Sequence, residues 1–281
     1  MRCYTLLDVH NRTIQQSITQ ELLRSEKSSS PAMASTVVLV TGANRGLGEG
    51  LVERFLALPN HTVIAVCRDP AHTTAKALLD LGTGEGSSLV MAKCDASVEE
   101  DPATLVKDLQ SKHDIDHLDI VVANAGIVKA FPLVKDVKRS EILEHIEINV
   151  FGVLSLYQAT RSLLQKSQAP HGPVLALMGS TAGSLERQPS VPNAAYGASK
   201  AMLHWYGMRI NSDEEWLASF VLEPGFVQTD MGNSSARAFG MEKAITTVDD
   251  SCDGMFKVLN TATKEHYGGK LVDFNGEIQT W

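Results

Sequence analysis

Thr41-Gly42-Ala43-Asn44-Arg45-Gly46-Leu47-Gly48 is the stretch whose reading decides the fold. It follows Val37-Val38-Leu39-Val40, a short apolar run rich in β-branched residues that reads as a buried strand. It precedes Leu51-Val52-Glu53-Arg54-Phe55-Leu56, where apolar residues recur at helical spacing. A dinucleotide site needs this succession of strand, glycine turn and helix. The glycines remove side chains so that backbone N–H groups approach a pyrophosphate, and the helix N-terminus favours its negative charge. The candidate cofactor contacts in the turn are Gly42, Asn44, Arg45, Gly46, Leu47 and Gly48. No Gly-Lys-Ser/Thr follows, which disfavours a nucleotide-triphosphate loop.

Outward from this turn, strand-like and helix-like segments alternate. The strands are expected at 36–41, 62–67, 88–93, 118–123, 173–179, 217–223 and 270–274, and the helices at 47–58, 71–80, 98–112, 136–147, 150–167, 195–211 and 247–260. Central runs such as Leu118-Asp119-Ile120-Val121-Val122-Ala123 are almost wholly apolar, as in a parallel sheet covered on both faces. The expected fold is a single α/β domain over residues 36–281: a doubly wound, mostly parallel sheet of about seven strands with helices on both faces, the Rossmann fold. Residues 1–35 are polar, with no secretory-type apolar stretch, and read as a disordered extension.

The 281 residues suffice for a large core, and 43% hydrophobic with 21% charged residues is ordinary for a globular chain. A net charge of −8 without a basic cluster argues against nucleic acid and anionic membranes as partners. No apolar run approaches the roughly 18 residues of a membrane span. Cys3, Cys67, Cys94 and Cys252 are far apart, which points to free thiols in a reducing compartment and hence a cytoplasmic protein. His113 and His117, with Asp114 and Asp116 between them, have metal-like spacing. They precede the fourth strand, at the end of the sheet opposite the expected site, and read as solvated; no metal is expected.

Open parallel sheets bind ligands outside the carboxyl ends of their strands. There the chain carries the glycine turn, then Arg68-Asp69, Asp95, Asn124-Ala125-Gly126, Ser180 and Pro224-Gly225. An acid at the end of the second strand would accept from the ribose 2′-OH of NAD and repel a 2′-phosphate. Cys67 stands there instead, and Arg68 follows. Arg68 and Arg45 on one rim favour NADP(H), because guanidinium binds phosphate through charge-assisted bonds. Either arginine alone also reads as a solvated surface residue, and Asp69, one residue on, keeps an NAD-dependent alcohol dehydrogenase as the alternative.

Tyr196-Gly197-Ala198-Ser199-Lys200 lies at the start of a helix, so Tyr196 and Lys200 share one face. A neighbouring ammonium stabilises a phenolate and is expected to bring the phenol towards its working range, so that it can give a proton to a carbonyl oxygen or take one from an alcohol.

These motifs together resemble the short-chain dehydrogenase/reductase family. They are Thr41-Gly-x-x-x-Gly-x-Gly48, Asp95, Asn124-Ala125-Gly126, Asn149, Ser180-x-x-Gly183, Tyr196-x-x-x-Lys200 and Pro224-Gly225-x-Val227-x-Thr229, in the family's order. Asn44-Arg45-Gly46 and Thr229-Asp230-Met231-Gly232 are similar to the carbonyl-reductase-like fungal branch, which includes ketoreductases related to norsolorinic-acid reductase. The resemblance implies that Tyr196 is the general acid, Lys200 lowers its pKa and holds the nicotinamide ribose, and Ser180 positions the substrate oxygen. It further implies that Asn149 links Lys200 to solvent through a water, Asp95 meets the adenine, and Asn124 to Gly126 pass the adenosine ribose. Pro224, Gly225, Val227 and Thr229 would form the nicotinamide end, with Thr229 on the carboxamide.

Ser180 precedes Tyr196 by 16 residues, more than is common in the family. The stretch 185–192, with Pro189 and Pro192, reads as a longer lip over the substrate. Thr181 and Ser184 are the other hydroxyls; Ser180 stands three residues before the glycine, as in the family. The implied activity is NADP(H)-dependent reduction of a ketone or aldehyde. Few charges in 232–247, a segment expected to be a mobile lid, suit an apolar or aromatic carbonyl compound. A non-catalytic NADP(H) sensor is the alternative of another class. Apolar helices at 150–167 and 195–211 imply, by resemblance, a homodimer or homotetramer.

Overall fold

A computed structural model describes residues 35–281. The expectation for residues 1–34 lies outside the described residues. Ser35, assigned from sequence to the extension, shares a 3.0 Å hydrogen bond between its hydroxyl and that of Thr62.

Among the described residues, eight strands form one sheet in the order β3-β2-β1-β4-β5-β6-β7-β8. They are β1 (Thr36–Thr41), β2 (His61–Cys67), β3 (Ser88–Lys93), β4 (Ile120–Ala123), β5 (Val174–Met178), β6 (Ala218–Glu223), β7 (Leu271–Asp273) and β8 (Ile278–Gln279). All neighbours pair in parallel except β7 and β8. The sheet thus exceeds the expected seven strands by β8, whose two residues are too short to carry a periodic signal. The helices are α1 (Gly46–Leu56), α2 (Thr73–Lys76), α3 (Asp101–His113), α4 (Arg139–Ile146), α5 (Gly152–Leu164), α6 (Tyr196–Asp213), α7 (Asp230–Ala238), α8 (Val248–Thr261) and α9 (Lys264–Tyr267).

Successive residues of β1 point to opposite faces and build two cores. Val38 and Val40 pack with Leu51 and Phe55 of α1 and with Met255 and Leu259 of α8. Val37 and Leu39 pack with Leu105 and Leu109 of α3, Leu156 and Leu163 of α5, and Leu203 of α6. Strands buried on both faces explain the uninterrupted apolar runs. The buried Asp119 carboxylate fastens the amino edge: Oδ2 accepts from Val37 N at 2.8 Å, and Oδ1 from the Ser167 hydroxyl at 2.6 Å and the Gln168 amide at 2.9 Å.

Three expectations change. The helix expected at 71–80 is one α-turn, α2, capped by the His72 side chain and followed by a 3-10 turn (Ala77–Asp80), although Ala75 to Leu79 are good helix formers. The expected lid at 232–247 begins as helix α7, capped by Thr229, whose Oγ1 accepts from Gly232 N at 3.1 Å. The helices expected at 136–147 and 150–167 are joined by a π-helical segment (Glu147–Phe151).

The order places β1 beside both β2 and β4, so the chain reverses its winding direction at their carboxyl ends. A crevice at this point is where such sheets take their ligands.

Candidate active site

The glycine turn is fastened to the end of β4. Asn124 donates its side-chain amide to the Thr41 carbonyl at 2.8 Å and to the Gly42 carbonyl at 3.3 Å. The Thr41 hydroxyl accepts from the backbone amides of Asn124 and Ala125, both at 3.0 Å. Asn124 therefore shapes the turn through its side chain rather than reaching forward with it. A Cβ on Gly48 would lie 2.2 Å from the Gly42 carbonyl oxygen, so only glycine lets α1 start this close to the turn. Gly46, the first residue of α1, has φ +56, a conformation glycine adopts without strain. Leu47 is half-buried against the α1 face of the core.

Asn44 is held by a 2.7 Å bond from its amide to the Thr74 hydroxyl of α2. Arg45, the residue before α1, is exposed and pairs with Asp230 of α7 at 3.8 Å. Arg68 is exposed at the end of β2. It faces Asp95: burial alone would raise that carboxyl, but two bonds from Ser97 and the Arg68 cation hold it below its ordinary value. The Asp69 carboxylate accepts from the Ala71 amide at 2.9 Å and is turned into its own loop.

Tyr196 begins α6, and Lys200 and His204 follow at successive turns of the same helix. Lys200 is 5% exposed and its ammonium donates to the Met178 carbonyl, at the end of β5, at 2.7 Å. It lies 5.7 Å from the centre of the Tyr196 ring. Burial lowers the Lys200 pKa to about 8. Tyr196 differs from expectation: its phenol stands above the ordinary value, because burial and the negative charge of Glu223 outweigh the Ser180 hydroxyl that favours the phenolate. The ammonium is directed to Met178, and the phenol keeps its proton.

Ser180 precedes a 3-10 turn (Thr181–Gly183), and its oxygen accepts from Ala182 N at 3.2 Å, leaving its O–H free to donate. Ser184 is buried and accepts from the Arg187 amide at 3.0 Å, so it serves the lip. Of the three hydroxyls weighed from sequence, Ser180 is the one that acts on Tyr196.

Asn149 sits in the π-helical segment. Its oxygen accepts from Ile127 N at 2.8 Å, and its amide donates to Ile127 O and to the Ser199 hydroxyl, each at 3.0 Å. A Cβ on Gly126 would lie 3.1 Å from Asn149 Oδ1 and 3.7 Å from Lys200 Nζ, so both groups converge on this glycine. At the far rim, Ser251 donates its hydroxyl to Pro224 O at 2.7 Å, Gly225 has φ +82, and Val227 bridges to Thr246. Thr229 caps α7 with its oxygen. The Phe131 and Phe239 rings meet edge to face at 4.7 Å between the loop after β4 and the segment after α7.

Sequence reasoning missed Glu223, His204, Arg187 and Ser199. Only Ser199, inside the tyrosine–lysine motif, left a local signal. Glu223 and His204 reach the turn that carries Ser180 from β6 and α6, and Arg187 joins them from the lip by pairing with Glu223. His117, weighed as a metal ligand, bonds Asp116 at 2.7 Å.

The short chain dehydrogenase family model matches residues 36–238. A norsolorinic acid ketoreductase of Dothistroma septosporum is 44% identical over 250 residues, covering 88% of this chain and 92% of the relative. A norsolorinic acid ketoreductase of Aspergillus parasiticus is 37% identical over 238 residues, covering 84% and 88%. Among solved structures, the NADPH-bound carbonyl reductase from chicken fatty liver aligns with a TM-score of 0.76 at 26% identity, covering 89% of this chain and all of that one. Carbonyl reductase Sniffer of D. melanogaster aligns with a TM-score of 0.77 at 26% identity, over 88% of this chain and all of its own. Among the described residues, no helix is long and apolar enough to cross a membrane.

Proposed function

Because the chain belongs to the short chain dehydrogenase family, we propose that it is a ketoreductase that uses NADPH to reduce an apolar or aromatic ketone or aldehyde, with Tyr196 as the general acid. The observation that carries the proposal is the meeting of Tyr196, Ser180 and Lys200 at the carboxyl edge of β5, with Lys200 against Gly126 in the loop whose Asn124 holds the glycine turn.

The residues present fit the cofactor. The turn from Gly42 to Gly48 offers backbone without side chains, and the first amides of α1 have no intrahelical partner. Arg68 and Arg45 are exposed cations on the adenosine rim, where a 2′-phosphate is recognised. The Arg45–Asp230 pair is exposed on both sides and holds Arg45 only weakly against a phosphate. Asp95, Asn124, Ala125 and Gly126 frame the adenosine half, and Pro224, Gly225, Val227 and Thr229 the nicotinamide half. When bound, NADPH supplies the hydride.

The side chains handle the oxygen and the proton. Ser180 donates its free O–H to the carbonyl oxygen and holds it in place. Tyr196, protonated in this environment, gives its proton to that oxygen as negative charge develops. The Lys200 ammonium stabilises the phenolate left behind, and Asn149, which faces Lys200 across Gly126, lies on the route by which a proton returns.

Exposed apolar side chains on three segments around the site support the substrate class: Leu133 after β4, Leu185 on the lip, and Met231, Met241 and Ile245 on and after α7. The test is the initial rate of NADPH and NADH consumption with apolar aromatic ketones and with phosphorylated sugars. The proposal expects NADPH turnover with the former. Turnover confined to the sugars, or equal use of NADH, contradicts it.

A further inference from the structure

Behind Ser180 lies a buried charged cluster that the chemistry above does not use. Glu223, the last residue of β6, is 7% exposed. Its Oε1 accepts from the Thr181 amide at 3.0 Å, and its Oε2 lies 3.7 Å from the Arg187 guanidinium. The preceding amide, that of Ser180, points at Nε2 of His204 at 3.4 Å. Two consecutive amides of the turn that carries Ser180 are therefore held by side chains from two different elements, β6 and α6.

The same cluster anchors the lip. Arg187 donates to the Thr280 carbonyl at 3.4 Å, and the Glu186 amide donates to the Trp281 carbonyl at 2.9 Å. The Trp281 ring lies 5.8 Å from that of His204. Burying a carboxylate is costly unless it is paired and hydrogen-bonded. Here each oxygen has a partner, and both partners belong to segments that frame the reacting carbonyl.

We propose that Glu223 is a positioning residue: by holding the Thr181 amide it fixes the peptide after Ser180 and aims the Ser180 hydroxyl, while its pairing with Arg187 fastens the lip to the same point. This rests on the ketoreductase reading. His204 supports the same turn as a neutral acceptor, its pKa lowered to about 4 by burial and the nearby Lys200 and Arg187 cations.

Glu223 also acts through its charge. Tyr196 is faced by Lys200 and Ser180, by the His145 ring of α4 at 6.4 Å, and by Glu223 from β6. Glu223 in turn is faced by Arg187 and, from β7, by Asp273. Its negative charge opposes formation of the phenolate.

Two conservative variants separate aim from charge. Glu223→Gln keeps an acceptor for Thr181 and removes the charge. Glu223→Asp keeps the charge and withdraws the acceptor by one methylene. The readouts are kcat and KM for ketone with NADPH, NADPH affinity, and the phenolate absorbance titration of Tyr196, taken as the difference from the matching Tyr196→Phe protein. Glu223→Asp is expected to lose kcat about tenfold or more, since a misplacement of about 1 Å can cost on the order of a hundredfold. Glu223→Gln is expected to keep most of kcat and to move the phenolate midpoint to lower pH, with NADPH affinity unchanged in both. Wild-type kcat in Glu223→Asp, equal losses in the two variants, or an unmoved midpoint in Glu223→Gln overturns the assignment. A wild type that reduces no carbonyl contradicts the ketoreductase reading itself, and with it this assignment.

Discussion

The Lys200 ammonium donates to the main-chain carbonyl of Met178 at 2.7 Å, tying the start of the Tyr196 helix to the end of the central strand β5. The lysine is buried there, and burial disfavours its charge. Its pKa falls from 10.5 to about 8, while that of Tyr196 rises. The protonated lysine is the working form, and it is lost as pH rises through about 8, before the phenol loses its own proton. The value of kcat/KM for NADPH, which reports the ligand-free protein, should therefore fall above pH about 8. A pH–rate profile checks this; a rate that stays flat well beyond that pH contradicts it.

The side chain of Asn124 is committed to the Thr41 and Gly42 carbonyls. Asn124→Ala leaves these acceptors unpaired and frees the turn, with an expected loss of about 1–3 kcal/mol in stability and weaker NADPH binding. Urea unfolding and NADPH fluorescence titration measure the two effects. Unchanged stability together with unchanged affinity would show that the turn holds its shape without this amide.

Arg68 faces solvent beside Asp95, and Asp69 is occupied by its own loop. Arg68→Ala should lower kcat/KM with NADPH about tenfold or more, as loss of a charge-assisted phosphate contact does, and leave NADH nearly unaffected. Parallel initial rates with the two cofactors decide; an unaltered preference rules Arg68 out as the discriminating cation.

Phe131 and Phe239 join the loop after β4 to the segment after α7. The same loop accepts from the backbone two residues before Tyr196, through the 3.2 Å bond from Ala194 N to Pro132 O. Phe239→Ala removes an edge-to-face contact worth about 0.5–1.5 kcal/mol. The KM for bulky aromatic ketones should rise severalfold while that for small aliphatic ones stays. Equal shifts for both classes would place the pair outside the substrate path.

What the sequence revealed follows the range of the interactions involved. The run from β1 through Gly48 and the pair Tyr196–Lys200 are built from neighbours in the chain, so spacing alone exposes them. The face of Asn149 is set by a π-helical segment that no apolar period announces, and its Ile127 partner lies 22 residues away. Glu223 and His204 meet Ser180 only because β6 lies beside β5 and α6 packs across that edge. The α7 helix was readable in retrospect from its Thr229-Asp230 start, a capping residue followed by an acid. The raised Tyr196 pKa was not readable, since it depends on burial and on a charge from a strand 27 residues further along.

The proposed chemistry turns on Tyr196 delivering the proton. Its most direct test is single-turnover NADPH oxidation with an aromatic ketone, comparing the wild type with Tyr196→Phe. Tyr196→Phe should bind NADPH as the wild type does and oxidise it more slowly by roughly a hundredfold to ten-thousandfold. A Tyr196→Phe protein that reduces the ketone at the wild-type rate contradicts it.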